Sequence, residues 1–152
     1  MMLILFKKQK NLDYTTADLE SPIADLHFDL HKIPLEDNSY DVIFCNHVLE
    51  HVDDYNKVMR EFFRVMKPGG WGIFQVPVDY NNANTIEDKS VTDPRERERL
   101  YWQSDHLRLF GRDYGDKLAA AGFKVTESNY INEIDTNLVK RYALDKNEIV
   151  YY

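Results

Sequence analysis

The sequence feature that most constrains the fold is the run Tyr40–Asn46, which is almost continuously apolar and leads directly into His47. Such a run is typical of a strand that is covered on both faces by other elements. The period then changes, because apolar residues recur every three or four positions over Val52–Met66, as on one face of an amphipathic helix. The segment Lys67–Gly70 contains a proline and two glycines that end the helix, and Trp71–Val78 follows as a second apolar strand. Strand, helix and strand in this order indicate an α/β sheet, in which ligands bind at the carboxyl ends of parallel strands.

The remaining patterns extend this sheet on both sides. Short strands are predicted at Leu12–Asp18, Asp25–Asp29, Phe123–Ser128 and Glu148–Tyr152. The segment Asp79–Ser104 is long, polar and weakly patterned, which predicts a functional or mobile loop with a short charged helix around Pro94–Tyr101. A helix is predicted over Gly111–Gly122. We therefore expect a single α/β domain over residues 1–152, with an antiparallel strand at its C-terminal edge.

Composition excludes several classes of protein. The chain has 152 residues, of which 43% are hydrophobic and 30% charged, as in ordinary globular proteins. A formal charge of -7 argues against binding to duplex nucleic acid, which requires clustered Lys and Arg. No apolar run approaches the roughly 18–20 residues that span a bilayer. The single cysteine, Cys45, lies in an apolar strand and is predicted to be a small buried hydrophobe, so we expect a reducing, cytoplasmic location.

The segment Asp41–Val78 resembles the central part of class I S-adenosylmethionine-dependent methyltransferases of the broad small-molecule type. The resemblance extends from about Leu12 to the C-terminus. It implies a doubly wound Rossmann-like sheet, S-adenosylmethionine as cofactor, and methyl transfer to a small molecule. Methyl transfer needs little acid–base help, so alignment of the reactants carries much of the catalysis.

The resemblance also assigns cofactor-binding residues. In the family, an acid after the second strand accepts hydrogen bonds from the ribose hydroxyls, and Asp18 matches it. A second acid, after the third strand, meets the adenine amine; Asp29 matches, with Leu30 beside it. Asn46 and His47 match the end of the fourth strand, near the methionine half of the cofactor and the substrate.

Each of these positions has a purely structural alternative. An aspartate at the end of a strand is often a turn or cap residue. His47 and His51 are four residues apart and would share a helix face, but such a pair binds zinc only with further ligands. No metal site is therefore predicted.

The run Tyr101–Gly111 resembles a segment that follows the substrate-side loop in one methyltransferase subgroup. Arg108 could hold an anionic substrate, and His106 could act as a general base, so these two are the predicted catalytic residues. The alternative is that the segment pins the long loop, and the sequence leaves both interpretations open.

One family feature is missing. The first strand and its glycine-rich turn should precede Leu12, where the chain has only Met1–Asn11. Met1–Phe6 cannot pair in parallel with Leu12–Asp18, because five residues are too few for a crossover of about a dozen. The expected fold is thus an N-terminally truncated methyltransferase sheet without its middle strand, with weak cofactor affinity and doubtful activity.

Two other functions stay open. The chain could be a non-catalytic methyltransferase-like remnant that acts as an interaction module and forms a homodimer through its exposed sheet. A doubly wound domain for another nucleotide would use the same acids but lacks a phosphate loop. The leading prediction is a methyltransferase whose partners are S-adenosylmethionine and a small-molecule methyl acceptor, with no nucleic acid and no membrane.

Overall fold

The computed structural model describes residues 9–152, which divide into two compact units, the first ending at Pro34 and the second spanning Leu35–Tyr152. In the first unit, strand β1 (Ala17–Asp18) pairs in parallel with strand β2 (Leu26–His27). Both strands are shorter than predicted. The prediction for Met1–Phe6 lies outside the described residues.

The connection between these two parallel strands is much shorter than the usual crossover of about a dozen residues. It is closed by a side-chain link, in which the Asp25 carboxylate accepts hydrogen bonds from the Thr16 backbone N–H at 2.9 Å and from its hydroxyl at 2.6 Å. Asp25 N–H returns a bond to the Thr16 hydroxyl at 3.0 Å. This reciprocal pair holds the ends of a turn that no helix bridges. A 3₁₀ helix, Leu30–Lys32, follows β2.

The centre of the second unit is the predicted strand–helix–strand arrangement. Strand β3 (Tyr40–Asn46) and strand β4 (Met66–Gln75) are parallel and are joined by helix α1 (Tyr55–Val65). Within residues 9–152, β4 is the one ladder partner of β3. The pairing continues to the carboxyl ends of both strands, where Asn46 lies opposite Gln75.

The glycines after α1 form part of a strand instead of a loop. The register shifts between Tyr40 and Val42, because the partner of Tyr40 is Met66 and the partner of Val42 is Trp71. Gly69 has φ +82°, which favours glycine. A Cβ on Gly70 would lie 2.8 Å from the Asp41 carbonyl oxygen. The prediction that these glycines end the helix is wrong, because α1 already ends at Val65 with Met66 as its C-cap, and the glycines instead allow the bulge that sets the register of β4.

The rest of the second unit consists of short elements. They are β5 (Ile86–Glu87), α2 (Pro94–Tyr101), β6 (Arg108–Leu109), α3 (Tyr114–Ala120), β7 (Glu127–Ser128), a second 3₁₀ helix (Tyr130–Glu133), α4 (Thr136–Arg141) and β8 (Val150–Tyr151). Strands β5 and β6 are antiparallel, as are β7 and β8. The α/β class and the antiparallel C-terminal pair are thus confirmed. The 3₁₀ helices, β5, β6 and α4 were not predicted.

The core of the second unit lies between α1 and β4 and continues through a row of aromatic rings. Phe62 of α1 packs on Phe74 of β4, with ring centroids 5.6 Å apart. Full burial of one such side chain contributes about 1.5–3 kcal/mol. Tyr55, Phe110, Tyr114 and Tyr151 continue the core by successive edge contacts. Among the described residues, no helix is both long and apolar enough to cross a bilayer.

Candidate functional site

The carboxyl ends of β3 and β4 form an ordered edge that carries two predicted site residues. His47 N–H donates to the Gln75 carbonyl at 2.8 Å, which extends the ladder one residue beyond β3. His47 then adopts a left-handed backbone conformation, φ 56°, and the chain turns away from the sheet. The Asn46 and His47 side chains are exposed. Both predicted residues therefore lie where parallel α/β sheets bind ligands.

This edge is held in place by the C-terminal segment. Gln75 is buried, and its side-chain amide donates to the Glu148 carboxylate at 3.1 Å and to the Ile149 carbonyl at 2.8 Å. Tyr114 adds a hydrogen bond from its hydroxyl to the Phe74 carbonyl at 3.1 Å. Polar anchors on β4 thus give Asn46 and His47 a rigid support.

Asp18 lies at the end of β1 and uses one carboxylate oxygen in a turn. Its Oδ1 accepts hydrogen bonds from the backbone N–H groups of Glu20 at 2.9 Å and of Ser21 at 2.7 Å. The Glu20 N–H, followed by that of Ser21, holds the pKa of the Asp18 carboxyl below its usual value. The side chain is exposed and ionised at neutral pH, so it combines the turn role with a carboxylate that is accessible to hydroxyl donors.

Asp29 and Leu30 lie eleven and twelve residues after Asp18, in the same unit. The Asp29 carboxylate caps the 3₁₀ helix by accepting from His31 N–H at 2.8 Å, and it lies 2.6 Å from His31 Nδ1. Leu30 is half-buried. Asp29 therefore makes the helix-cap contact of the structural alternative. The predicted role of Asp29 in binding adenine stays a prediction.

Arg108 is fully buried and makes its hydrogen bonds within the protein. Its guanidinium donates to the carbonyls of Leu49 at 2.8 Å, Val52 at 2.6 Å and Asp53 at 3.1 Å, and to the Glu87 carboxylate at 2.9 Å. These contacts fix the turn between β3 and α1. Only the bond to Glu87 reaches the long loop, as the structural alternative proposed, and contact of Arg108 with a substrate stays an untested prediction.

His106 is also buried, beside the same turn. Its Nδ1 lies 2.8 Å from the Tyr101 carbonyl, and the next residue, Leu107, donates from its backbone N–H to the Glu50 carbonyl at 2.9 Å. The His106 ring packs edge-on against His51 with centroids 4.8 Å apart. A role of His106 as general base stays a prediction.

The structure adds one residue that the sequence argument missed. Glu50 is 1% exposed, and neither of its carboxylate oxygens accepts a hydrogen bond from a residue in the described range 9–152. His47 Nδ1 lies 3.3 Å from Glu50 Oε1. The only sequence signal was an acid among the apolar residues Leu49 and Val52.

The second unit also contains a cavity of about 540 Å³. It lies along the amino-terminal half of β4 and is lined by Phe63, Trp71 and Phe123, among others. None of the predicted site residues lines it. The cavity therefore gives no support to the predicted site.

A family model described as a methyltransferase domain matches residues 4–74, a range that contains Asp18, Asp29, Leu30, Asn46 and His47. The resemblance to class I S-adenosylmethionine-dependent methyltransferases is confirmed. The curated relatives and the solved structure described below are methyltransferases as well.

The matching relatives are longer methyltransferases. A demethylmenaquinone methyltransferase of Listeria monocytogenes serotype 4a is 41% identical over 56 residues, which are 37% of this chain and 23% of that protein. A malonyl-[acyl-carrier protein] O-methyltransferase of Buchnera aphidicola subsp. Baizongia pistaciae is 35% identical over 65 residues, 43% of this chain and 26% of that protein. The alignments thus span about a quarter of these relatives.

One solved structure supports the fold over most of the chain. It is an S-adenosylmethionine-dependent methyltransferase from Mesorhizobium loti, with a TM-score of 0.52 and 17% identity, covering 89% of this chain and 76% of that one. At this level of identity, the likeness concerns the fold.

Proposed function

We propose that the chain is an S-adenosylmethionine-dependent methyltransferase domain that acts on a small molecule. The observation that carries the proposal is the carboxyl edge of β3, where the exposed residues Asn46 and His47 end a parallel ladder inside the family-matched segment. In parallel α/β sheets, this edge is where nucleotide-like ligands bind.

The residues present fit the chemistry of the cofactor. Asp18 is exposed and ionised, and a carboxylate is the acceptor that vicinal ribose hydroxyls need. Asp29 and Leu30 would receive the adenine, and Asn46 and His47 would line the methionine and substrate side. When bound, the cofactor supplies a methyl group on a sulfonium, whose S–CH₃ electron pair stays on sulfur as the acceptor atom forms its bond to the methyl carbon.

The remaining chemistry falls to the chain itself. The rigid support of β4 by Gln75 and Tyr114 would keep Asn46 and His47 in fixed positions, and positioning is the main source of catalysis in this kind of transfer. We propose that Arg108 and His106 act by holding the segments that carry the site, because both side chains are buried among protein groups.

Isothermal calorimetry with S-adenosylhomocysteine tests the proposal, using the wild type, Asp18→Asn and the matched control Asp13→Asn. Asp13 is an exposed aspartate in the same segment. Loss of hydrogen bonds to a charged acceptor costs about 1.5–3 kcal/mol, so Asp18→Asn should weaken binding at least about tenfold, while the control binds like the wild type. Absence of binding by the wild type, together with a stable dimer on a sizing column, would favour the self-associating alternative.

The acceptor requires a separate assay. The names of the relatives suggest two acceptors, demethylmenaquinone and malonyl-[acyl-carrier protein]. Each would be incubated with the chain and S-adenosylmethionine, and the methylated product detected by mass spectrometry. Methylation of neither compound would exclude these acceptors and leave the calorimetric result on the cofactor intact.

A further inference from the structure

Three side chains that could bind a metal ion converge beside the turn after β3. They are Glu50, His51 and His106, and each offers one ligand atom within 4.8 Å of the other two. Glu50 and His106 are buried and His51 is half-buried. The sequence suggested no such group, because His106 lies 55 residues after His51.

The Glu50 side chain is the feature that points to a ligand. It is 1% exposed, and no residue among 9–152 donates a hydrogen bond to either of its carboxylate oxygens. A carboxylate that has lost water and gained no donor is strongly destabilising unless a proton or a cation neutralises it. His47 Nδ1 at 3.3 Å is the competing source of such neutralisation.

Each of the two histidines has its Nδ1 beside an oxygen acceptor, as metal-binding histidines usually do. His106 Nδ1 lies 2.8 Å from the Tyr101 carbonyl, and because a carbonyl only accepts, Nδ1 carries the hydrogen, which leaves Nε2 as the nitrogen available to a metal ion. His51 Nδ1 lies 3.4 Å from the Asp105 carboxylate. A histidine ligand almost always has one ring N–H directed at a carbonyl or carboxylate while the other nitrogen binds the metal.

We propose that Glu50, His51 and His106 bind a divalent transition-metal ion, and that this ion is zinc. One carboxylate and two imidazoles are a common zinc donor set that leaves a fourth position for water or another ligand. In a tetrahedral zinc site with bonds of about 2.1 Å, two ligand atoms are about 3.4 Å apart, so binding requires ligand atoms that are now up to 4.8 Å apart to approach one another by as much as about 1.4 Å. The ion would join the end of β3 to the segment before β6.

The metal site can be tested without the methyl-transfer cofactor. Untagged protein is stripped with a chelator and titrated with zinc in competition with a chromophoric chelator. We expect one zinc ion per chain. Glu50→Gln and His106→Ala each remove a ligand and should lower the affinity by more than about 100-fold, the upper end of the effect of losing a supporting partner. The control His27→Ala, outside the cluster, should bind like the wild type.

Thermal melting separates ligation from a loss of folding. Without metal, Glu50→Gln should melt higher than the wild type, because it removes the uncompensated carboxylate. With zinc, only the wild type should gain stability, which reverses the order. The proposal is overturned if the wild type binds no zinc, if Glu50→Gln binds as tightly as the wild type, or if His47→Ala abolishes binding while His106→Ala retains it.

Discussion

Replacement of Arg108 by alanine tests whether this residue supports the fold or contacts a substrate. Its guanidinium makes four hydrogen bonds, to the carbonyls of Leu49, Val52 and Asp53 and to the Glu87 carboxylate. The side chain is 0% exposed, so water cannot replace these bonds in the folded wild type. The structure therefore predicts that the substitution destabilises the protein itself.

The expected loss in the free energy of unfolding follows from the number and kind of hydrogen bonds that Arg108 makes. Removing one partner of a buried ion pair costs about 3–5 kcal/mol. Domains have a free energy of unfolding of about 5–15 kcal/mol, so Arg108→Ala should remove a large share of it. With a urea slope of about 2 kcal/mol per molar, a loss of about 4 kcal/mol lowers the unfolding midpoint by about 2 M.

Urea titration followed by circular dichroism measures this shift. Arg108→Lys keeps the charge but loses the planar fork, and should fall between the wild type and Arg108→Ala. Arg95→Ala is the control at an exposed position of α2 and should change the free energy of unfolding by no more than about 0.5 kcal/mol. If Arg108→Ala leaves the midpoint unchanged and raises KM for an acceptor, the pinning role is wrong and the predicted substrate contact is correct.

Two further predictions concern titratable groups. Burial raises the pKa of Asp113, but hydrogen bonds from Lys117 and Thr85 outweigh this effect and hold the pKa below the usual value of 3.8. The stabilisation from Asp113 is thus present above about pH 4 and is lost as the pH falls through the lower folded-state pKa. In urea titrations at pH 7, Asp113→Asn should be less stable than the wild type by about 1 kcal/mol or more, and this difference should shrink near pH 3. The control Asp116→Asn, at an exposed position, should show little change at either pH. A stability difference between Asp113→Asn and the wild type that does not change with pH would contradict this prediction. Burial raises the pKa of the Cys45 thiol to about 12, so a disulfide reagent at pH 8 should modify it only after unfolding in urea, and rapid modification of the native protein would show that Cys45 is not buried.

The parts of the fold that the sequence predicted best are those with strong local signals. The bounds of β3 follow from one apolar run, and those of α2 follow from Asp93, which caps the helix, and Pro94 at its first position. The start of α1 was predicted too early, because residues 48–54 have an apolar pattern but form a turn. That turn is held by Arg108, which lies 56 residues after Val52 in the sequence. Such a long-range contact leaves no periodic signal in the sequence.

The same distinction between local and long-range signals applies to the candidate site. Asn46 and His47 could be found because they end a strand, which is a local property. The burial of Glu50 and its position beside His106 depend on how the segment before β6 packs on the turn after β3, and no spacing rule relates them. The sequence therefore predicted the edge of the sheet but not the charged groups beneath it.

The most direct test of the proposed function is a crystal structure of the chain with S-adenosylhomocysteine. We predict that the ribose hydroxyls donate to the Asp18 carboxylate, that the adenine lies beside Asp29 and Leu30, and that the homocysteine half approaches Asn46 and His47. A ligand bound elsewhere, with none of these residues within hydrogen-bond distance, would contradict the account.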